Sequence, residues 1–440
     1  MLVPNEACEE ADVDARRPGG RVGLAAESRH RLLVLLGLGA ALRLAIDFGT
    51  DGNPFDLQTV IVGLKGQLDR APLDIYAQRY GPFPAWIYPP AYFAWAWPIG
   101  ELAERTGLDH GALVRLLGGA CDLGIAWAVQ AHLGWRGRSD RDRLLAAAAV
   151  ALGPVFIAGS SVHGQIDTVA LLPAVVAVAA WERSRGAPGT TSPGALLGLA
   201  TAVKQVPGVT LLALLPTATP RERVRLAVLT GLVPALLTLP FLLARPAETV
   251  ESLRYKGYPG AGGLSILLQP SLARRWLSTG FPADMESTWS GLTEATQAIA
   301  PFVLVASLGI AAWHLLRHRA SPVLAACLLF LVVWVFGFNA FVTYAVWGLP
   351  FFLMAGAVRT VVAFQALFLV PLAIVYRPIV VDAGPASAAL VDWAYTPSMV
   401  AAWVAACVGL VVVVRQIGAG AGQSENGPGQ IPGGGAGATG

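Results

Sequence analysis

Five aspartates, Asp47, Asp51, Asp56, Asp69 and Asp74, fall close together near the start of a 440-residue chain. A carboxylate can take up a proton or partner a cation, and side-chain chemistry alone does not choose among the five. The polar segment that holds them, residues 47 to 90, closes on Leu73-Asp74-Ile75-Tyr76 and Ile87-Tyr88-Pro89-Pro90. Downstream, the junction Ser161-Val-His163-Gly-Gln165-Ile-Asp167 gathers an imidazole, a carboxamide and a carboxylate. It reads either as ligand-contacting or as a turn in which Asp167 caps a helix, since acids favour helix N-termini. Lys204 stands alone in an apolar run beside Pro207, where a long cation could reach an anion. The stretch Arg254-Tyr255-Lys256-Gly-Tyr258 leads into glycines, and such a cationic, aromatic loop can cradle a phosphate or stack a sugar. Tyr344 and Trp347 open a later apolar run, where they also suit an interfacial aromatic belt.

These residues must be positioned by a membrane protein. Hydrophobic residues make up 55% of the chain and charged residues 13%, about half the charge of a typical soluble domain; mean hydropathy is +0.58. A net charge of +3 is too small to suggest nucleic-acid binding. The four cysteines, Cys8, Cys121, Cys327 and Cys407, are too far apart for a CxxC metal site and mostly lie in apolar runs, so they read as packing residues. No metal motif appears and no cofactor is expected.

A helix needs about 20 apolar residues to cross a bilayer. Ten runs meet this loosely: 31–47, 111–133, 143–160, 164–182, 224–244, 297–316, 321–337, 340–358, 360–380 and 397–415. Cytoplasmic loops retain Lys and Arg, which places the N-terminal arginines inside and residues 47–110 and 245–296 outside, with 88–104 a proline-led helix on the outer face. Segment 194–217 has arginines at both ends, so both ends should be cytoplasmic; a pair of short helices broken near Lys204-Gln-Val-Pro207 satisfies this. With that hairpin, 18 of the 31 Lys and Arg residues fall in inner segments. The expected organisation is all-α: a polar cytoplasmic segment 1–30, a transmembrane bundle 31–417 of ten full spans plus the hairpin, and a Gly-rich disordered tail 418–440. Both termini are expected in the cytoplasm of a plasma (inner) membrane protein.

Ionisable residues inside spans are functional candidates by default. Arg43 with Asp47, and Arg115 with Asp122, each share one helical face and read as ion pairs or as the lining of a wet cavity.

The order of these motifs resembles the GT-C superfamily of integral-membrane glycosyltransferases: an outer acid after the first span, Leu-Asp-Ile-Tyr76, Tyr88-Pro89-Pro90, His163-Gly-Gln165-Ile-Asp167, and Gly194 through Lys204-Gln-Val-Pro207. Within it the chain is most similar to glycosyltransferase family 87, the polyprenyl-phosphate-mannose-dependent α-mannosyltransferases and related arabinofuranosyltransferases. The resemblance implies a lipid-linked sugar donor, an outward-facing site, inversion at the sugar, a glycolipid or glycan acceptor of the cell envelope, and an aspartate base. That base maps to Asp56, with Asp51 in reserve; the tyrosine that family members carry just after the acid is replaced here by Gln58-Thr59-Val60. A base shielded beside the membrane would have a raised pKa. Charge on the leaving phosphate would be met by Lys204, Arg254 and Lys256, with His163 and Gln165 donating hydrogen bonds and Tyr88, Tyr258 and Tyr344 lining the donor site. Membrane lipids, the donor and the acceptor are the expected partners. Arabinofuranose competes with mannose as the sugar. From another class, a lipid or solute transporter would show paired broken helices in its two halves, and one such break is visible.

Overall fold

A computed structural model of the chain describes residues 23–80, 83–184, 191–254, 259, 262–279, 291–381 and 384–425. Nineteen α-helices occur among them. Before the second long helix come α1 (Ala26–Gly49), a π-helical turn Pro54–Val62, α2 (Gly63–Arg70) and α3 (Phe93–Thr106). Then follow α4 (His110–Trp135), α5 (Asp140–Ala151), α6 (Pro154–Ile157), a second π-helical turn Ala158–His163, α7 (Asp167–Arg183) and α8 (Thr191–Val203). After these come α9 (Leu211–Leu214), α10 (Pro220–Ala244), α11 (Pro246–Leu253), α12 (Leu264–Leu268) and α13 (Pro270–Thr279). The last third holds α14 (Gly291–His318), α15 (Pro322–Phe336), α16 (Leu349–Met354), α17 (Val358–Val380), α18 (Ala388–Leu390) and α19 (Thr396–Glu425). Among the described residues the one β pairing is a two-residue antiparallel ladder, Arg79–Tyr80 with Phe83–Pro84.

Helix is the dictated solution here, because lipid offers no partner to an unpaired backbone amide. The long helices turn their apolar side chains outward as well as inward: Leu243 on α10 is 77% exposed and Phe302 on α14 is 74% exposed. In water such surfaces would aggregate; against acyl chains they are solvated. The polar ends carry caps. Asp109 accepts from the Ala112 amide to start α4, and Thr219 and Glu222 form a capping box on α10.

Helical segments, some of them broken, cover each of the ten apolar runs, but not at equal length. Seven are long and apolar enough to cross a bilayer. α7 has 17 residues, α15 has 15 and the Val342–Met354 segment is shorter still. At about 1.5 Å per residue, α15 and its partner fall short of a core about 30 Å thick. They are joined by Gly337-Phe-Asn339 as a second pair of short helices, a feature the apolar runs alone had merged into two full spans. α19 runs over Thr396–Glu425, adding residues to a formed helix without a new nucleation cost. Residues 426–440 lie outside the described residues.

The hairpin is present. α8 runs up to Lys204, whose ammonium reaches Asp167 at the start of α7, and the chain returns through Val206–Thr217 until Thr217 accepts from Trp181 Nε1 (2.9 Å) near the end of α7. Segment 191–217 therefore travels the length of α7 and comes back. α8 packs between α7 and α10 on glycines: a Cβ at Gly198 would lie 2.6 Å from the Leu229 carbonyl.

The buried charges pair across helices rather than along them. Arg43 of α1 bonds Asp122 of α4 (2.8 Å), while Arg115 of α4 lies 3.9 Å from Asp47 of α1. The expectation of Arg43 with Asp47 and Arg115 with Asp122 is thus corrected: the four residues are right, and the partners are exchanged. Antiparallel packing of α1 on α4 puts each arginine level with the other helix's acid, and a guanidinium reaches sideways more readily than along its own helix.

Candidate active site

The structure separates the five aspartates. Asp47 is sealed beside Arg115; Asp69 pairs with Lys65 (2.7 Å) and accepts from Trp97; Asp74 pairs with Arg245 (2.7 Å). Asp51 is exposed, and its backbone carbonyl, not its carboxylate, accepts from Gln58. Asp56 alone of the five lines a cavity of about 540 Å³.

Local sequence places it there. Asn53 accepts from the amides of Phe55 (2.9 Å) and Asp56 (2.7 Å), and Pro54 supplies the helical φ of the first position, so the chain turns sharply into the Pro54–Val62 helix. Opposite, the Ala158–His163 turn presents His163. Ser160 Oγ donates to Asp122 (2.6 Å) and Arg115 donates to the Ser161 carbonyl (2.8 Å), tying that turn to the buried charge network. Gly164 ends it at φ 82°, and a Cβ there would lie 2.8 Å from Leu57 Cδ1. The two turns touch because this residue is glycine.

At the meeting point His163 Nε2 is 2.5 Å from Asp56 Oδ2, Gln165 Nε2 donates to the same oxygen (2.9 Å), and Tyr376 Oη of α17 is 2.8 Å from His163 Nδ1. The Asp56 side chain is 36% accessible and lines the cavity. Burial pushes its carboxyl up, but the hydrogen bond from His163, the Lys204 ammonium and the Gln165 amide together hold it below the usual carboxylate range. The raised value expected from the sequence is therefore corrected. Shielding is present, and neighbouring donors outweigh it.

Lys204 forms the second pole. Its Nζ lies 2.6 Å from Asp167 Oδ1, which also accepts from Trp347 Nε1 (2.6 Å). It stands 4.8 Å from the ring centres of both Tyr88 and Tyr344 and 5.4 Å from that of Trp347, an aromatic cage that stabilises a desolvated cation. Tyr88 is set by neighbours: its carbonyl accepts from Tyr76 Oη (2.7 Å), and Gln205 holds the Ile87 carbonyl (3.1 Å).

The cavity thus brings together Asp56, His163, Gln165, Lys204, Tyr88 and Tyr344. It leaves out Asp51. Arg254 is exposed at the end of α11, one residue beyond Leu253 in the cavity wall, and Lys256 and Tyr258 lie outside the described residues. Three contributors were legible only in part or not at all. Asp167 was left open between a helix cap and a ligand contact; the helix it begins has no side-chain cap, and a lone buried lysine was itself the signal that an acid must be near. Trp347 was read as also suiting the interfacial belt, and Tyr376 carried no signal, being one tyrosine in an apolar run. The rest of the wall is mostly apolar, from Leu304 on α14 through Trp334 on α15 and Phe364 on α17 to Ala406 on α19, with Gln205, Gln297, Asn339 and Thr360 its further polar members. Among the described residues no group of three or more His, Cys, Asp or Glu side chains is arranged to hold a metal ion.

A long-helix membrane bundle with a carboxylate and a caged cation in one largely apolar cavity has the parts for group transfer at a membrane. The model of glycosyltransferase family 87 matches residues 86–341, more than half of the chain, and the protein belongs to that family. It is a membrane glycosyltransferase of the GT-C superfamily. The match contains Tyr88, His163, Gln165 and Lys204 and begins after Asp56. Solved structures similar to the chain include ArnT from Cupriavidus metallidurans in the apo state, at 15% identity, covering 88% of this chain and 77% of that one with a TM-score of 0.48. The same enzyme bound to undecaprenyl phosphate is similar at 15% identity, the same coverage and a TM-score of 0.47. No curated protein sequence matches the chain.

Proposed function

We propose that the protein transfers mannose from a polyprenyl-phosphate donor to a cell-envelope glycolipid or glycan, on the outer face of the plasma membrane, with Asp56 as the base. The observation that carries this reading is the position of Asp56, beside His163, Gln165 and Lys204, in a cavity whose remaining wall is mostly apolar. A donor with a sugar phosphate at one end and a polyisoprenoid at the other matches that division.

In the proposed step the acceptor hydroxyl oxygen bonds to the anomeric carbon as its proton passes to Asp56. The bond from that carbon to the phosphate oxygen breaks, and its electron pair leaves with the phosphate. Attack opposite the leaving group inverts the anomeric centre. Lys204 has donors beyond the one given to Asp167, and its charge stabilises the phosphate monoester as it forms. A base positioned in this way contributes about 10²–10⁴ in rate.

Membrane vesicles supplied with polyprenyl-phosphate-mannose and a lipid acceptor fraction test the proposal. Wild type should transfer mannose, Asp56→Asn should lose at least about a hundredfold, and Asp51→Asn should stay within a fewfold. Transfer that survives Asp56→Asn would remove the base assignment. Transfer of arabinofuranose but not mannose would replace the sugar.

A further inference from the structure

We infer that Tyr376 is a positioning residue that fixes the tautomer of His163 and thereby divides the two oxygens of Asp56 between anchoring and chemistry. The reasoning begins with donors and acceptors. His163 Nε2 lies 2.5 Å from Asp56 Oδ2. A lone pair on that nitrogen would face a carboxylate lone pair at bonding distance, so Nε2 must carry a hydrogen and donate. In the neutral ring Nδ1 is then an acceptor. Tyr376 Oη, 2.8 Å away, supplies the donor it needs.

Tyr376 itself is buried, at 4% exposure, and His163 Nδ1 is the sole hydrogen-bond partner of its hydroxyl among the described residues. A buried hydroxyl proton is costly to leave unpaired, which commits it to Nδ1. The ring is also held by edge contacts to Phe341 (5.3 Å) and Tyr376 (5.6 Å), so it cannot flip to exchange its nitrogens. The charged and titratable groups around this chain are Asp56 and Lys204 on the cavity side, Asp167 behind the lysine, and Tyr344 and Tyr395 on the neighbouring helices.

The consequence lies at Asp56. Oδ2 accepts from both His163 and Gln165, while Oδ1 has no partner among the described residues. Oδ2 is the anchor and Oδ1 is the oxygen left for an incoming hydroxyl. A Tyr376→Phe protein keeps the ring's packing but leaves Asp56 as the one group holding the Nε2–H tautomer, so the Nδ1–H ring, which turns a lone pair toward Oδ2 and loosens the carboxylate, gains population.

This inference rests on the proposed role of Asp56, yet one of its tests needs no turnover. In ¹⁵N-histidine protein reconstituted in nanodiscs, the His163 ring signals are assigned by their loss in His163→Gln. They should report the Nε2–H tautomer in wild type and a shift toward Nδ1–H in Tyr376→Phe. An Nδ1–H ring in wild type, or a tautomer unmoved by Tyr376→Phe, overturns the inference whatever the enzyme transfers. The kinetic test is a double-mutant cycle in the vesicle assay. Tyr376→Phe should lower kcat about tenfold with KM within about twofold, because misorienting a base acts on the transition state. In a His163→Gln background the same change should cost less than about twofold, since coupled residues are not additive. Equal losses in both backgrounds would show that Tyr376 does not act through His163.

Discussion

Lys204 Nζ and Asp167 Oδ1 lie 2.6 Å apart with both side chains almost wholly buried, at the tip of one hairpin and the first residue of α7. This pair closes the hairpin onto the bundle and sets the cation beside the cavity. Breaking a buried pair by removing one member strands the other charge, at about 3–5 kcal/mol. Lys204→Met and Asp167→Asn should therefore each lower the melting temperature in detergent markedly, whereas Lys204→Met with Asp167→Leu should lower it less than either. A double variant as unstable as the sum of the singles would mean that the pair is not a coupled unit.

The low carboxyl of Asp56 sets a direction for pH dependence. The folded value lies below the unfolded one of about 3.9, so the group is ionised throughout the neutral range. Its stabilising contribution is present above the unfolded value and fades as pH falls through the folded one. His163→Ala removes the main opposition to burial, and the carboxyl should rise. The acidic limb of kcat/KM should then move to higher pH than in wild type, measured as a pH–rate profile. A limb that stays put, or moves down, would show that His163 does not hold Asp56 ionised.

The depth to which sequence could reach differs by residue. The hairpin at Lys204 was legible because arginines flanked both ends and Pro207 broke the run. Asp56 and Asp51 were not separable from spacing, since the choice depends on the Asn53 cap and on a π-helical turn that no simple periodicity announces. Arg43, Asp47, Arg115 and Asp122 were legible as buried charges but not as pairs, because pairing is set by how α1 lies on α4. Tyr376 enters the site through α17, more than 200 residues from the histidine it touches.

Lys65 gives a second electrostatic test away from the cavity. Its ammonium meets Asp69 (2.7 Å), Glu101 (3.1 Å) and Glu104 (2.7 Å), joining α2 to α3 and so bracing the segment that carries Asp56. Hydrogen bonds to Asp69 and Glu104 push the Lys65 value up, and hydrogen bonds to Lys65 pull Asp69 and Glu101 down. The lowered acids stabilise the fold above their unfolded values and lose that contribution as pH falls; the raised lysine loses its own only at strongly alkaline pH. Lys65→Met leaves three carboxylates facing one another. Lowering pH from 7 toward 5 should raise the melting temperature of that variant while wild type holds steady or falls. The same pH response in both proteins would remove the clamp.

Gly164 couples the turns that carry Asp56 and His163. Its φ of 82° costs a non-glycine residue about 1–2 kcal/mol, and a Cβ would also overlap Leu57. Gly164→Ala should therefore reduce transfer more than its loss of thermal stability alone predicts, because the overlap pushes Asp56 and His163 apart. Gly107 offers the control. It too has positive φ, at 70°, but nothing lies near its missing Cβ, so Gly107→Ala should cost similar strain and leave activity within about twofold. Equal activity in the two variants would mean that the contact with Leu57 does not set the site.

The sidedness proposed for the site can be tested at the hairpin. Because segment 191–217 runs the length of α7 and returns, Arg221 lies at the end of the bundle opposite Asp51 and Asp56. Both Arg221 and Asp51 are exposed, so a cysteine at either position is chemically available. With the four native cysteines replaced, an impermeant maleimide applied to intact cells should label Asp51→Cys and spare Arg221→Cys until the membrane is opened. The arginine-rich ends make this direction the expected one, since cytoplasmic loops retain positive charge. The reverse pattern would turn the whole bundle over and move the cavity to the cytoplasmic face. Labelling of both in intact cells would mean that the hairpin crosses the membrane, and Lys204 would then approach Asp167 from a different topology.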